Sequence, residues 1–189
     1  MSKSTKAFVG IDASLRSTGV SAVFQIVDNI WTAPMAGVIK PPEKLGEYSL
    51  AYMYNEFNTW LDFLPGEAAI AAIEGPSLNS QNRPFDMGGA YGIYKLALMQ
   101  RRIPFTIVPP KSLKKYFTGK GNATKEEMLA AQKSADAYGC EFSQNDMVDA
   151  YALALLAQDV HSGKAAIRKR HKEEMVQQAC STLFTYAIV

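Results

Sequence analysis

The chain has 189 residues, of which 48% are hydrophobic and 20% charged, and its formal net charge is +2 at pH 7. This length and composition predict one globular domain with a substantial core. No apolar stretch approaches the roughly 20 residues of a membrane span, and no secretory signal is recognisable. Two cysteines are too few for a disulfide framework or a metal cage, so we expect a reduced, cytoplasmic protein without a membrane partner.

The positive charges are unevenly distributed along the chain. No Asp or Glu occurs in 87–125, and this interval contains Lys95, Arg101, Arg102, Lys111, Lys114, Lys115, Lys120 and Lys125. A second basic cluster occupies 164–172. Basic segments on a nearly neutral protein indicate an anionic partner, with nucleic acid first. A solvated charged surface is an equally good interpretation of this pattern alone.

The first forty residues predict three strands joined by short turns. Strand-like segments cover 6–12, 19–27 and about 31–39, with Asp28-Asn29 as a hairpin turn between the second and the third. Pro41-Pro42 ends this antiparallel meander.

A helix and a buried strand are predicted next. The helix covers about 45–64 and ends at Pro65-Gly66. Its apolar residues recur at spacings of three and four: Leu50, Met53, Tyr54, Phe57 and Leu61. The uninterrupted apolar run 68–73 is typical of a strand that is buried on both faces, and it ends at Glu74.

The second half of the chain predicts helices around one more strand. A helix over 85–101 is followed by a strand over 105–108, which Pro109-Pro110 ends. Two further helices cover 124–137 and about 144–160. Their candidate N-caps are Thr124 and Ser143.

This element order predicts an α/β fold in which a mixed sheet, three antiparallel strands and then two parallel ones, carries helices on both faces. It is the strand order of the ribonuclease-H-like fold, although periodicity alone does not separate that fold from other α/β folds. We place the domain at residues 1–160, followed by a basic, helical C-terminal extension at 161–189.

Four carboxylates lie where ordinary structure gives them little reason to be. Asp12 and Glu74 end strands, and Asp146 and Asp149 share one face near the start of the last helix. Singly, each has a simple explanation, such as a turn or a helix dipole. Together they suit Mg²⁺, which binds carboxylates, water and phosphate oxygens. Two such ions about 3.5–4 Å apart form the clamp used in phosphodiester hydrolysis.

Four segments that include these carboxylates resemble the RuvC family of Holliday-junction resolvases over roughly residues 7–160. They are Gly10-Ile11-Asp12-Ala13-Ser14 with Thr18-Gly19, Ala72-Ile73-Glu74, the Gly-x-Gly-x-Ala-x-Lys pattern within Lys111–Lys125, and Asn145–Ala154. Each motif is weak alone, but four in the correct order and spacing are specific.

The resemblance implies a ribonuclease-H-like fold, a homodimer, Mg²⁺ or Mn²⁺ as cofactor, and paired symmetric nicks across a four-way DNA junction. It implies that Asp12, Glu74, Asp146 and Asp149 are the catalytic metal ligands. Lys114 and Lys125 match family lysines that contact DNA or assist catalysis, and we include Lys125 among the catalytic residues. A generic phosphate contact is an equally good interpretation of Lys114. The expected DNA-binding residues are Lys111, Lys114, Lys115, Lys120 and Lys125.

Two features depart from the family's pattern. Bacterial members carry an aromatic residue three positions after the glutamate, where this chain has Ser77, with Leu78 next and Phe85 later. The segment after about His161 also extends past the usual end of those proteins. These departures suggest a divergent, phage or viral, member with looser substrate choice.

Other functions remain open at this point. A flap or other branched-DNA endonuclease, or a ribonuclease H, would use the same fold. An actin-like ATP-binding domain also begins with Gly-Ile-Asp, but it needs a second glycine-rich phosphate loop that this chain lacks. A DNA-binding scaffold without catalysis would not need all four acids. For the dimer interface, the glycine-bearing helix 85–101 is our candidate, although ordinary packing on the sheet explains it equally well.

Overall fold

The computed structural model describes residues 5–27, 30–43, 48–75, 84–135, 140, 142 and 144–162. Its strands are β1 (Lys6–Asp12), β2 (Thr18–Val27), β3 (Ile30–Ile39), β4 (Glu67–Glu74) and β5 (Phe105–Val108). Its helices are α1 (Ser49–Asp62), α2 (Pro84–Gln100), α3 (Pro110–Thr118), α4 (Lys125–Ala135) and α5 (Asn145–Ser162).

The five strands form one sheet in the order β3-β2-β1-β4-β5. β1 pairs antiparallel with β2, and β2 pairs antiparallel with β3. β4 runs parallel to both β1 and β5. The predicted mixed sheet is therefore confirmed, and its central strands β1 and β4 end side by side at one edge.

The sheet separates two hydrophobic cores. Side chains alternate along a strand, so Val9 and Ile11 of β1 pack on one face with Met53 of α1 and Tyr94 of α2. Phe8 lies on the opposite face, in the core that includes α3, α4 and α5. Helices thus cover both faces, as expected, and α5 crosses the face to which the even-numbered positions of β1 point.

Helix α5 packs unusually close to the sheet, and two glycines permit this approach. A Cβ atom built on Gly10 would lie 1.9 Å from the Ala150 carbonyl oxygen. A Cβ atom on Gly19 would lie 1.9 Å from the Asp146 carbonyl oxygen. Because these neighbours are backbone atoms, no side-chain rotation could relieve either clash. The backbone of α5 therefore rests directly on β1 and β2.

One helix is absent from the sequence prediction. We interpreted Pro109-Pro110 only as the end of a strand, but Pro110 is the first residue of α3. Proline suits this position because the first helical N–H has no intrahelical acceptor and the ring presets a helical φ. The predicted end of the strand is confirmed, since β5 ends at Val108, but the prediction did not include the helix that begins at the same pair of prolines.

The remaining bounds differ from prediction by a few residues. Thr124 is confirmed as the cap of α4, since its Oγ1 accepts from Glu127 N at 3.3 Å while Glu127 Oε2 accepts from Thr124 N at 2.9 Å.

Some predictions lie outside the described residues: the turn at Asp28-Asn29, the cap Ser143, the position Ser77 and most of the extension, 163–189. Among the described helices, none is long and apolar enough to cross a membrane.

We expect Gly19→Ala to lower the free energy of unfolding by about 3 kcal/mol, because the new methyl group must push the α5 backbone off the sheet. Urea unfolding of both proteins measures this. Gly37→Ala on β3 is the matched control, since among the described residues the nearest atom to its Cβ, other than its chain neighbours, would be Val20 Cγ2 at 3.9 Å. Equal stability of the Gly19→Ala variant and the wild type would contradict the close packing.

Candidate active site

Asp12 and Glu74 meet at the edge where β1 and β4 end. Ile11 of β1 pairs with Ile73 of β4, so each carboxylate follows a paired residue on adjacent parallel strands. Alternation places both side chains on the α5 face of the sheet. The two carboxyl groups come within hydrogen-bond reach of each other. The strand-end positions inferred from the sequence therefore converge.

Asp146 and Asp149 approach the same point from the first turns of α5. Their spacing of three places both on one helical face. Asp146 lies over Gly19, which pairs with Asp12 across β1 and β2. The charges of Asp146 and Asp149 both raise the pKa of Asp12, so the fold gathers all four predicted carboxylates into one cluster.

The cluster is electrostatically unfavourable without a cation. Burial, and then the charge of Glu74, raise the pKa of Asp12 well above its usual range. Burial and the charge of Glu74 raise the pKa of Asp149 to about 6. Burial also raises the pKa of Glu74, although the hydrogen bond from Asp12 and the charge of Lys114 oppose this. In the metal-free protein, Asp12 and Glu74 therefore titrate as a coupled pair, which binds a proton more readily than an isolated carboxylate does.

The donor set suits a hard divalent cation in its chemistry. Four carboxylates supply oxygen ligands of the kind that Mg²⁺ and Mn²⁺ prefer, and a cation would offset the repulsion between them. Among the described residues, however, no three acidic, His or Cys side chains converge tightly enough to hold a metal ion. Asp12 and Glu74 instead face each other within hydrogen-bond reach. Binding a cation thus requires these two carboxyl groups to turn toward Asp146 and Asp149.

Two of the predicted lysines lie beside the carboxylates. The charge of Lys114 lowers the pKa values of both Glu74 and Asp149, and the charge of Lys125 lowers that of Asp149. Lys114 Nζ also donates to the Ala123 carbonyl oxygen at 3.0 Å. These contacts connect α3 to the segment that leads into α4, and they place two cations at the rim of the cluster.

The Gly-x-Gly-x-Ala-x-Lys pattern has a structural explanation. Gly119 ends α3 with a φ of 86°, in the left-handed region that favours glycine, and its N–H donates to the Lys115 carbonyl oxygen at 2.9 Å. Ala123 is buried, which leaves no room for a larger side chain. Thr124 then caps α4 so that Lys125 is its first residue. The pattern therefore places Lys125 at the start of α4.

The other predicted lysines lie farther from the carboxylates. Lys111 and Lys115 are exposed on α3, and neither is among the charges that shift the pKa values of Asp12, Glu74 and Asp149. Lys120 forms an ion pair with Glu127 at 2.5 Å. The structure therefore brings two of the five predicted DNA-binding lysines to the site and leaves three on the adjoining surface.

Sequence reasoning assigned no role to Ser17. Its Oγ donates to Asp146 Oδ2 at 2.5 Å, across 129 positions of the chain. The local signal was its place in the polar turn between Asp12 and Gly19, but nothing in the sequence indicates that the start of α5 packs against this turn.

Comparison with known proteins identifies relatives across most of the chain. The sequence profile of the family described as crossover junction endodeoxyribonuclease RuvC matches residues 8–157. The protein of that name from Porphyromonas gingivalis is 30% identical over 131 residues, which cover 68% of this chain and 67% of that protein. Its counterpart from Corynebacterium diphtheriae is 30% identical over 125 residues, 65% of this chain and 75% of that protein.

Solved structures show the same fold. Thermus thermophilus RuvC has a TM-score of 0.64 and 21% identity, covering 85% of this chain and 97% of its own. T. thermophilus RuvC in complex with a Holliday junction substrate has a TM-score of 0.61 and 20% identity, covering 80% and 91%. The expected ribonuclease-H-like fold is confirmed by this likeness.

We expect the metal-free protein to lose stability as the pH rises from 5 to 8. A carboxyl group whose pKa rises from 3.8 to about 6 on folding binds a proton in the folded state that the unfolded state has already released. Its favourable contribution is therefore present at low pH and is lost as the pH passes about 6. Between pH 5 and pH 8, Asp149 alone accounts for about 1.4 kcal/mol of this change, since pH 5 lies about one pH unit below its folded pKa.

Chemical unfolding at pH 5, 6, 7 and 8 in a chelator measures this dependence. Asp149→Asn should reduce the pH dependence, whereas Glu67→Gln, which alters an exposed carboxylate at the start of β4, should leave it unchanged. Ca²⁺ added at pH 8 should restore the lost stability in the wild type. A metal-free protein that is as stable at pH 8 as at pH 5 would contradict the electrostatic description of the cluster.

Proposed function

Because this chain belongs to the RuvC family of crossover junction endodeoxyribonucleases, we propose that it resolves four-way DNA junctions by paired, symmetric phosphodiester hydrolysis. Membership makes it a hydrolase of a metal-dependent nuclease family. The observation that carries the proposal is the coincidence of the family match over 8–157 with one cluster of four carboxylates drawn from β1, β4 and α5. A solved relative, RuvC of T. thermophilus, is bound to a Holliday junction substrate.

Mg²⁺ is the cofactor that this donor set favours, with Mn²⁺ as a substitute. Asp12, Glu74, Asp146 and Asp149 would hold it. When bound, the metal supplies an activated water molecule and stabilises the leaving oxygen of the phosphodiester. The partial burial of Asp12 and Glu74 supports this assignment, because a cation compensates the cost of removing two adjacent carboxylates from much of their water.

The lysines act on the substrate. Lys114 and Lys125 lie close enough to the carboxylates to lower their pKa values, so a phosphate that enters the cluster would meet both cations. Lys111, Lys115 and Lys120 would extend this contact along the DNA backbone. Such contacts give an affinity that falls with salt and carries no sequence information.

A homodimer follows from paired symmetric cleavage, which needs two sites related by a two-fold axis. The outer face of α2 supports this assembly. Gly88 and Gly92 are exposed, and a Cβ atom added to either would meet no described atom within 4 Å outside the adjacent turns of its own helix. Leu96 and Met99 are 49% and 62% exposed. These four residues follow one another at helical spacing and form an apolar face on which a second copy could pack closely.

The sequence division into a nuclease domain at 1–160 and an extension at 161–189 is kept in this proposal. The family match ends at residue 157, close to that boundary. The extension contains the basic cluster within 164–172, so its contribution would be further phosphate contacts.

We expect Leu96→Glu to shift the protein from dimer to monomer, because a carboxylate in the centre of the α2 face would be buried without a partner. Light scattering coupled to size exclusion measures the mass. Phe63→Glu, which alters an apolar side chain that is 73% exposed next to α1, is the control and should remain dimeric. A dimer that survives Leu96→Glu would exclude this face as the interface.

We expect the wild type in Mg²⁺ to cut synthetic four-way junctions at symmetric positions, and to cut flaps and RNA–DNA hybrids more slowly. Asp146→Asn should abolish cleavage, a loss of at least about 100-fold, while junction binding in Ca²⁺ survives. Mapped nicks on denaturing gels measure the first result and gel shifts the second. Equal or faster cutting of hybrids would replace the resolvase proposal with a ribonuclease H, and normal cutting by Asp146→Asn would refute the metal assignment.

A further inference from the structure

We propose that Ser17 is a positioning residue whose hydroxyl group holds the Asp146 carboxylate in its metal-binding orientation. Ser17 Oγ donates to Asp146 Oδ2 at 2.5 Å, the length of a strong hydrogen bond to a charged acceptor. The inference rests on the proposed function, because it gives Ser17 a role toward the metal ion that the nuclease uses.

The position of the Asp146 backbone does not depend on Ser17. Its carbonyl group rests against Gly19, where even a methyl group would not fit. Helix α5 therefore cannot shift to adjust the carboxylate, and only side-chain rotation remains. Asp146 lies in the first turn of α5 and is half-buried, so its carboxylate has solvent within reach.

Repulsion favours rotation away from the cluster. Asp146 raises the pKa values of Asp12 and Asp149, which shows that its charge acts on both of them. In the absence of a cation, the Asp146 carboxylate lowers its electrostatic repulsion by turning toward water. The Ser17 hydroxyl opposes this movement, since it engages Oδ2 and leaves Oδ1 for the metal ion.

The turn that carries Ser17 is itself held firmly. Thr18 Oγ1 donates to the Ser14 carbonyl oxygen at 2.7 Å and accepts from Ser14 N at 3.1 Å. Thr18 is fully buried. Its side chain lies close to the phenol of Tyr94 on α2: burial raises the pKa of Tyr94, and Thr18 opposes that rise. A hydroxyl group on a closed and anchored turn can orient its partner, whereas one on a loose turn could not.

The test compares Ser17→Ala with the wild type in two measurements. Calorimetric titration of the DNA-free protein with Mn²⁺ should show about 10-fold weaker binding, the usual effect of removing a group that orients a metal ligand. The Mg²⁺ concentration for half-maximal junction cleavage should rise by a similar factor, while cleavage at saturating Mg²⁺ stays near the wild-type rate. Ser14→Ala removes a hydroxyl group from the same turn without touching Asp146, and it should leave Mn²⁺ affinity unchanged.

A second pair of variants protects the test against a folding defect. Ser17→Thr keeps the hydroxyl group, and Ser17→Val has nearly the same shape without it. We expect the threonine variant to bind Mn²⁺ more tightly than the valine variant by about the same 10-fold factor. Equal affinities in this pair, or equal affinities of Ser17→Ala and the wild type, would overturn the proposal.

A double-mutant cycle separates positioning from general stabilisation. If Ser17 acts through Asp146, adding Ser17→Ala to Asp146→Asn should change Mn²⁺ affinity by less than about twofold. A full 10-fold effect in that background would overturn the proposal. A wild type that binds Mn²⁺ and cuts no junction would refute the proposed function, while the Mn²⁺ titrations would still decide the role of Ser17.

Discussion

The direct contact between the α5 backbone and the sheet is the constraint on which the rest of the structure depends. It exists because Gly10 and Gly19 present no side chain to the carbonyl groups of Ala150 and Asp146. A helix held about one side chain farther from the sheet would carry its carboxylates away from those of the strands. Two glycines on β1 and β2 therefore decide whether an acidic cluster forms at all.

This contact also explains how the fold tolerates like charges in close proximity. The residues that follow Asp149 on α5 are buried almost without interruption, and most of them belong to the core between the helix and the sheet. Burying a continuous apolar surface, at about 25 cal/mol per Å², stabilises the helix position and opposes the repulsion at its first turns. Burial, and then the charge of Glu74, raise the pKa values of both Asp12 and Asp149, so part of that repulsion remains in the folded protein.

The lysines and the carboxylates of the site belong to different kinds of structural element. The carboxylates lie at the ends of β1 and β4 and the start of α5, which the core makes rigid. Lys114 and Lys125 come from α3 and from the first residue of α4, joined by a short segment with Gly119 at its start. Rigid ligands suit a metal ion, whose geometry is demanding, whereas flexible lysine side chains suit a DNA backbone, which approaches in varied ways.

Sequence alone was enough for the strand and helix order, since apolar periodicity and strand-end acids are local patterns. It was also enough to select Asp12, Glu74, Asp146 and Asp149 as candidates and to match them to a family. It did not reveal helix α3, because proline is common both after the end of a strand and at the first position of a helix, as Pro110 is here. The predicted extension and the position Ser77 stay predictions.

Only the tertiary structure decided which side chains touch. The bond from Ser17 to Asp146 joins residues 129 positions apart, and no local pattern encodes a contact of that separation. The same holds for Lys114 and Lys125, which the sequence grouped with three other lysines and which the fold alone brings to the carboxylates. Periodicity reports which face of an element is apolar, while the distance between two elements depends on how their backbones pack, and here that distance was set by glycines.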